Sequence, residues 1–416
     1  MGKRFGFTLA AALAVALALP ALADVNGRVT FYKDVLPILQ ENCQTCHRTA
    51  GANMSGMIAP MALTSYAEVR PWAKAIARQV EARNMPPWHA SKEFHGVFAG
   101  ERTLSEDEIA TITNWADQGG AAGNAADAPA PVQWQDSGWY FGAPDMIVKL
   151  PEPYLVKDEI TDEYVDIPVT ITKEMLPEPR WVRAAEIHAG CEAVHHVIAR
   201  PLAGNAPGVQ PKSLPEGYGS YLEPGTTVNF EMHYHKEAGA GTAVWDQTEI
   251  GVWFHTKPVY HEVASTAIGN TSFQIPPHAG NWRVGSSRVF EKDTLLLTMM
   301  PHMHLRGKAA KYTAFWPDGT TEVILDVPRY DFNWQTVYEY PEPRLIPAGT
   351  RIDCEMYFDN SEANPSNPDA NASVVFDGPT TAEMMLGWIS ICDAEAKPDK
   401  ILEAKLGKVD ESKRTD

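Results

Sequence analysis

Two histidines separated by one residue, His302 and His304, are the first residues of this sequence that could do chemistry. They follow residues 293–298, an apolar run of β-forming residues that predicts a buried strand. Residues two apart on a strand point to the same face, so the two imidazoles would project side by side and could chelate one copper or zinc ion. A lone pair of this kind often consists of ordinary polar residues, so the metal hypothesis depends on further candidate ligands.

Such candidates occur at His195, His196 and His233, and Met384 adds a thioether in a later strand-like segment. Imidazole binds copper in either oxidation state, whereas a thioether favours Cu(I), so this set is typical of redox copper sites. Adjacent residues on a regular strand face opposite ways, and His195 and His196 can therefore share a metal only if the strand is bulged or twisted. His235 shares a face with His233 and is either an alternative ligand or a hydrogen-bonding neighbour of one.

A C-x-x-C-H motif lies near the N-terminus, at Cys43, Cys46 and His47. In an exported chain this spacing lets both thiols bond to the vinyl groups of a haem while the histidine binds its iron. We expect Met85 to be the distal iron ligand, because the two prolines that follow it hold the backbone extended and rigid. The alternatives left open are Met54, Met57, Met61, His89 and His95.

Residues 1–23 have the features of a secretory signal peptide: two basic residues, an apolar run and an Ala-Leu-Ala cleavage site. They carry no acidic residue, so the remaining chain has 33 basic and 53 acidic residues and a net charge of −20. This charge disfavours nucleic acid and anionic membranes as partners and suits a basic redox partner. We expect a periplasmic or secreted protein with no membrane span after cleavage.

Helical periodicity dominates up to residue 120, with expected helices over residues 66–82 and 104–118 and an N-cap at Ser105. After about residue 134, short alternating runs separated by Pro and Gly predict an all-β region large enough for two packed sandwiches. The expected organisation is a signal peptide (1–23), a haem domain (24–120), a linker (121–135), a first copper-binding sandwich (136–262), a second (263–396) and a charged tail (397–416).

Two resemblances add to this interpretation. The order of helices, C-x-x-C-H and Met-Pro-Pro resembles the class I cytochromes c. Residues 140–392, with their three histidine motifs, Glu383-Met384 and a Tyr-Asp-Phe-Asn-Trp-Gln run at 330–335, resemble the copper type II, ascorbate-dependent monooxygenases, which include the peptidylglycine- and dopamine-hydroxylating enzymes. Together they imply a multidomain fold: a small all-α cytochrome c domain followed by an all-β module of two jelly-roll-like sandwiches.

The resemblance also implies roles for the metal sites. His195, His196 and His233 would hold an electron-transfer copper, whereas His302, His304 and Met384 would hold the copper that activates O2. One covalent haem c would replace ascorbate and receive electrons from an external donor. The expected function is a copper monooxygenase that hydroxylates a C–H bond of a small-molecule substrate. The alternatives are a non-catalytic haem and copper electron-transfer or copper-handling protein, and a copper oxidation without oxygen insertion.

The sequence departs from the resemblance at two places. Met300 stands where the amidating enzymes have an arginine that anchors a peptide carboxylate, which disfavours a glycine-extended peptide as substrate. Met385 stands where the family has a cysteine that would pair with Cys354, so we expect that disulfide to be absent. Cys191, Cys354 and Cys392 are an odd number outside the haem motif, so at most one disulfide can form among them.

Overall fold

The computed structural model describes residues 28–48, 59, 61–134, 138–205 and 211–404. The expected signal peptide, the candidate haem ligands Met54 and Met57, and the tail beyond residue 404 lie outside the described residues.

Apart from a helical turn at residues 400–404, the helices of the described chain lie before residue 128, where one cluster of buried side chains surrounds Phe31, Ile112 and Trp115, all completely buried. The predicted cap at Ser105 is confirmed, since its hydroxyl accepts a hydrogen bond from the Glu108 backbone and the Glu108 carboxylate accepts one from the Ser105 backbone. The helices are a π-helical turn (Phe31–Val35), α1 (Leu36–Asn42), α2 (Tyr66–Val69), a 3-10 turn (Arg70–Trp72), α3 (Ala73–Glu81), α4 (Glu106–Asp117) and 3-10 turns at Lys92–Phe94 and Ala125–Asp127.

Strands make up most of the chain from residue 146 to residue 393. They are β1 (Met146–Lys149), β2 (Tyr154–Val156), β3 (Asp162–Thr170), β4 (Arg180–His188), β5 (Val194–Arg200), β6 (Ala203–Asn205), β7 (Tyr218–Leu222), β8 (Thr227–His235), β9 (Val244–Asp246), β10 (Glu249–Phe254), β11 (His261–Glu262), β12 (Ala264–Asn270), β13 (Gln274–Ile275), β14 (Trp282–Val289), β15 (Thr294–His302), β16 (Gly307–Phe315), β17 (Thr321–Val327), β18 (Tyr338–Ile346), β19 (Arg351–Phe358), β20 (Val374–Val375) and β21 (Met385–Asp393).

These strands form four larger sheets and two two-stranded ribbons. The larger sheets have the orders β1-β10-β4-β7-β11, β3-β8-β5-β6, β12-β21-β15-β18 and β14-β19-β16-β17, and the ribbons are β13-β20 and β2-β9. The first two sheets share one hydrophobic core, and the other two share a second core. Alternation drives this packing: in β19 every second residue from Ile352 to Phe358 is fully buried, as the sequence pattern predicts.

The predicted fold class is wrong, because the helices do not form a separate all-α domain. The described chain is mostly β, with 37% strand and 14% helix, and its four larger sheets match in number the blades of a small β-propeller rather than a helical domain joined to two jelly rolls. The chain between α3 and α4 leaves the helices and packs into the second β core, where Trp88 and Phe98 are buried. Ala99 pairs with Glu339 of β18, and its N–H donates to the Glu339 carbonyl at 2.8 Å.

The physical reason for this error is that apolar residues within a helical region reveal that they are buried but not which partner buries them. Trp88 meets Tyr338 of β18 with ring centroids 5.1 Å apart, and Phe98 meets the same tyrosine at 5.4 Å. Arg329 adds a polar connection, since its guanidinium donates to the carbonyl of Arg83 at 2.6 Å, just beyond α3. The β core thus contains part of the segment expected to be an independent haem domain.

Both ends of the β region are also tied to neighbouring elements. Residues 121–134 run back along the helices, where the Ala121 carbonyl accepts a hydrogen bond from the Phe31 backbone. In the expected tail, Asp399 is only 6% exposed and accepts hydrogen bonds from the indole of Trp181 and the backbone of Val259, each at 2.9 Å. Among the described residues, no helix is long and apolar enough to cross a membrane.

Candidate metal centres

The structure brings His195, His196 and His233 together. One ring nitrogen from each lies within 4.8 Å of the others. β5 and β8 pair antiparallel, with Val194 opposite Tyr234 and His196 opposite His233, so His195 is an extra residue at a register shift. This is the bulge that the sequence required, because it turns two adjacent side chains toward one point.

Two nitrogens of this cluster lack hydrogen bonds. Nδ1 of His195 and Nδ1 of His233 are buried without a partner among the described residues. The other nitrogen of His233, Nε2, donates to the Asp162 carboxylate at 2.7 Å. Nδ1 therefore carries no proton, and its lone pair is available to a metal ion. Buried polar atoms are normally paired, so two orphaned nitrogens facing a common point fit a metal ion that accepts both lone pairs.

The electrostatics of the cluster also favour neutral imidazoles. Burial, together with the charges of the neighbouring histidines, lowers the pKa of His195 to about 4 and that of His196 to about 3. Burial likewise lowers the pKa of His233, although the Asp162 carboxylate opposes this shift. Only a neutral imidazole has a lone pair for a metal, so the ligands are ready to bind at neutral pH.

His235 has a different role from the three clustered histidines. Its side chain is 57% exposed, and its Nδ1 donates to the second Asp162 oxygen at 3.3 Å. Asp162 therefore bridges His233 and His235. Tyr164 stacks on the His233 ring, with centroids 4.1 Å apart, and fixes the plane of that imidazole from the other side. These contacts favour the interpretation of His235 as a hydrogen-bonding neighbour of the cluster over its interpretation as a ligand.

The second candidate site lies at the end of β15, where the ring centroids of His302 and His304 are 5.3 Å apart. Nδ1 of His302 donates to the side-chain oxygen of Gln335 at 2.7 Å, and Nδ1 of His304 donates to the carbonyl of Ala382 at 3.3 Å. In each ring Nδ1 carries the proton, and Nε2 carries the lone pair that could bind a metal ion. The hydrogen bonds at Nδ1 fix the orientation of both rings.

Strand register predicts a position for Met384 beside this pair. β15 pairs antiparallel with β21, and the pairing ends with His302 opposite Leu386. Extended two residues beyond the paired strands, the same register would set His304 opposite Met384 and on the same face. The hydrogen bond from His304 to the Ala382 carbonyl brings these two segments together. Met303, on the opposite face, is fully buried in the core, as its place in the alternation predicts.

The loop that carries His304 is held by a buried polar cluster around Glu383. This carboxylate is completely buried, and it accepts hydrogen bonds from the backbone of His304 at 2.8 Å and of Arg306 at 2.6 Å. Arg306 is also buried and donates to the side chain of Asn360 at 2.8 Å. Burial raises the pKa of Glu383 to about 8, while these backbone donors and the Arg306 charge oppose the shift.

The two sites face each other across one aromatic ring. The centroid of Phe332 lies 6.4 Å from that of His195, which it stacks with, and 6.0 Å from that of His304. Electrostatic interactions also indicate that the two sites are close, because the charges of His302 and His304 both lower the pKa of His196. A second bridge occurs at Tyr164, whose hydroxyl accepts a hydrogen bond from the Thr380 backbone at 3.4 Å, close to Met384 in the chain.

The C-x-x-C-H motif forms a turn directly after α1. Nδ1 of His47 donates to the carbonyl of Met61 at 3.1 Å, which leaves Nε2 available for iron. The Met61 backbone therefore lies beside the His47 ring. None of the five cysteines, all of which are described, is in a disulfide, so Cys43 and Cys46 retain thiols for haem attachment. These features fit a haem c.

The candidate distal ligands differ in their surroundings. Met85 and His89 line one cleft at the junction with the second β core, and His89 is only 7% exposed. His95 is half exposed and lies 3.6 Å from the carboxylate of Glu101, which makes it a surface residue. Arg102 lies between the motif and the β core: its charge interacts with Cys46, and its guanidinium lies 6.0 Å from the ring centre of Trp88.

The sequence did not reveal which contacts four residues make around these sites: Asp162, Gln335, Phe332 and Glu383. Gln335 and Phe332 lie in the run at 330–335, but only the folded loop shows what each contacts. A single acidic residue such as Asp162 has no sequence signal that pairs it with His233, 71 residues away. These contacts arise from strand pairing over long separations in sequence.

Comparisons with known proteins add no family. No protein-family model matches the chain. No curated protein matches it either. Among solved structures, the infectious bursal disease virus VP2 subviral particle is 10% identical and covers 62% of this chain and 74% of its own, with a TM-score of 0.21. The Paenibacillus xanthan lyase is 10% identical and covers 64% of this chain and 28% of its own, with a TM-score of 0.18. At these scores, neither likeness carries an argument.

Proposed function

We propose that this protein is an exported copper-dependent monooxygenase that hydroxylates a C–H bond of a small molecule with O2 and draws electrons through a covalently attached haem c. The observation that carries the proposal is the pair of histidine sites facing each other across Phe332. Copper in these sites would supply one-electron redox chemistry and O2 activation, and haem on His47 would supply electrons from an external donor.

The donor sets support different tasks for the two sites. His195, His196 and His233 offer imidazole alone, which holds copper in both oxidation states and suits electron transfer. At the other site, His302 and His304 add two imidazoles to the thioether of Met384, and a soft sulfur ligand favours Cu(I), the oxidation state that reacts with O2.

The surrounding residues would hold these ligands in place. Gln335 and the Ala382 carbonyl fix the rings of His302 and His304, while Asp162 and Tyr164 fix His233. Such outer contacts set the tautomer and orientation of ligating histidines. Phe332 adds an apolar side chain that neighbours both sites.

The junction between the C-x-x-C-H turn and the second β core supports the haem as electron source. Trp88 and Tyr338 lie in contact there, and Tyr338 is three residues from Gln335, which is hydrogen-bonded to His302. Arg102, whose charge interacts with Cys46, lies 6.0 Å from the Trp88 ring, so a short series of neighbouring residues runs from the motif toward His302.

The test follows O2 consumption by the reduced, copper-loaded, haem-containing chain with candidate substrates under ¹⁸O2. The proposal predicts product that carries one ¹⁸O atom, and loss of that product in the His302→Ala, His304→Ala double variant. O2 uptake without label in the product would indicate oxidation without insertion. Reversible reduction without O2 uptake for any substrate would indicate an electron-transfer or copper-handling protein. Either result overturns the proposal.

A further inference from the structure

A cleft of about 450 Å³ lies between the loop after α3 and the loops that follow β15 and β17. Its volume is in the range of small-molecule binding sites. Leu305, the residue after His304, lines it, and so does Phe332, whose ring lies 6.0 Å from that of His304. The cleft therefore opens beside the candidate catalytic site, and its assignment below rests on the proposed function.

The wall of the cleft is mainly polar, and its two charged side chains, Arg329 and Asp331, have opposite signs. Arg329 donates to the Arg83 carbonyl at 2.6 Å and to the Asn84 side chain at 3.1 Å, so its donors are largely committed. Asp331 accepts from the Asn333 backbone and from the Asn333 side-chain amide through one carboxylate oxygen. What remains for a ligand is a set of amide and hydroxyl groups, including those of Asn333 and Ser366.

One buried imidazole lies in the wall. His89 is only 7% exposed, lines the cleft, and makes no hydrogen bond through its ring among the described residues. Its ring nitrogens therefore remain available to a ligand or water that enters the cleft. Trp334 and Phe332 add aromatic faces to the same wall, which can pack against C–H groups.

We infer that this cleft binds the substrate, and that the substrate is a small neutral molecule rich in hydroxyl groups, such as a sugar or polyol. Hydroxyls can pair with the imidazole, amides and hydroxyls of the wall without requiring a counter-charge, while the C–H faces between them pack on Trp334. A charged ligand would meet both Arg329 and Asp331 and gain little net attraction. A purely apolar ligand would leave the polar wall without hydrogen bonds. Met85, the expected distal iron ligand, also lines this cleft, so the haem is the competing occupant that the experiment must distinguish.

The experiment measures binding to the haem-containing, copper-free full chain by isothermal titration calorimetry. The probes are glucose, N-acetylglucosamine and myo-inositol, with glucuronate, glucosamine and cyclohexanol for comparison. We expect saturable binding of at least one neutral probe and at least tenfold weaker binding of the charged and apolar ones. Trp334→Ala and His89→Phe should each weaken binding at least tenfold. Trp245→Ala, at a tryptophan that is 62% exposed on β9, should have no effect.

Three results would overturn the inference: no neutral probe binds, a charged or apolar probe binds best, or the cleft variants shift the haem spectrum and potential while probe binding is unchanged. The last result would assign the cleft to the haem. Because the assay contains no copper or O2, it can succeed when oxygen insertion fails. In that case the cleft would remain a sugar site, and the proposed monooxygenase activity would be wrong.

Discussion

The unpaired Nδ1 atoms of His195 and His233 are the strongest residue-level sign of a metal site. Leaving one buried nitrogen without a partner costs roughly 1–3 kcal/mol, and two such atoms at one point would be a large share of a typical folding free energy. A bound ion removes this cost, since both lone pairs become ligands. Asp162 and Tyr164, which contact the His233 ring, would then orient a metal ligand as well as pack against it.

The depressed pKa values predict unusual resistance of the three-histidine site to acid. Burial holds His195 near pKa 4 and His196 near pKa 3, so protons compete with copper only as the pH approaches these values. Three histidines of ordinary pKa would together lose on the order of a thousandfold in affinity at pH 5.5. We expect less than a tenfold loss between pH 7 and 5.5, measured by competition with a chromophoric Cu(I) chelator. A hundredfold or greater loss of copper affinity over this pH range would contradict the claim that the three histidines are buried and neutral.

Gln335 should affect the His302 site through its hydrogen bond alone. Gln335→Leu removes the acceptor for His302 Nδ1 while keeping the volume, and we expect copper affinity at this site to fall by about 10–100-fold. Gln335→Glu keeps an acceptor and should retain most of the affinity. Copper titration with both variants in a His195→Ala background isolates the site. Equal losses in the two variants would show that Gln335 acts by packing instead.

At the scale of elements, the local features were predictable from sequence and the long-range ones were not. Alternation predicted β19, the hydroxyl and carboxylate spacing predicted the cap of α4, and adjacent ligand histidines required the bulge in β5. These depend on residues close in sequence. The burial of Trp88 against β18 depends on residues about 250 apart, for which no local pattern exists, and this is why the helical segment was wrongly expected to stand apart.

Trp88→Ala tests that shared core. Trp88 is 8% exposed and packs on Tyr338, so its truncation should destabilise the fold by about 3–5 kcal/mol. Trp72→Ala, at a tryptophan that is 45% exposed in the same helical region, should cost less than about 0.5 kcal/mol. Urea unfolding followed by far-UV dichroism, which reports the β structure, gives both values. If Trp88→Ala left the β transition unchanged, the helical segment would be independent after all.

Gly387 tests the packing of β21 behind the second site. A Cβ at this position would lie 2.6 Å from Sγ of Cys354 and 2.9 Å from the hydroxyl of Tyr312, two fully buried side chains. Gly387→Ala should therefore cost about 1–3 kcal/mol of stability. Gly204→Ala, where a Cβ would have no atom within 4 Å, is the matched control. Thermal unfolding compares the two variants, and equal unfolding midpoints would contradict the close packing around Gly387.

At the scale of the whole molecule, three candidate groups lie along one line of contacts. The charge of Arg102 interacts with Cys46, and its guanidinium lies 6.0 Å from Trp88 of the second β core. The His302–His304 pair follows at the end of β15, and Phe332 neighbours both His304 and His195. A set of unrelated histidines would have no reason to converge in this way. The arrangement predicts that loading one site leaves the other available, because their ligands are separate residues.

The most direct test of the account is the copper content of the full haem-containing chain after anaerobic loading and removal of loose metal. We predict two coppers per chain, falling to one in His233→Ala and to one in His304→Ala, with the covalent haem retained in all three proteins on denaturing gels. In Cu(II) spectra, the two variants should show two different signals that sum to the signal of the unmodified chain. One copper or none in the unmodified protein, or two coppers in either variant, would contradict the two facing sites.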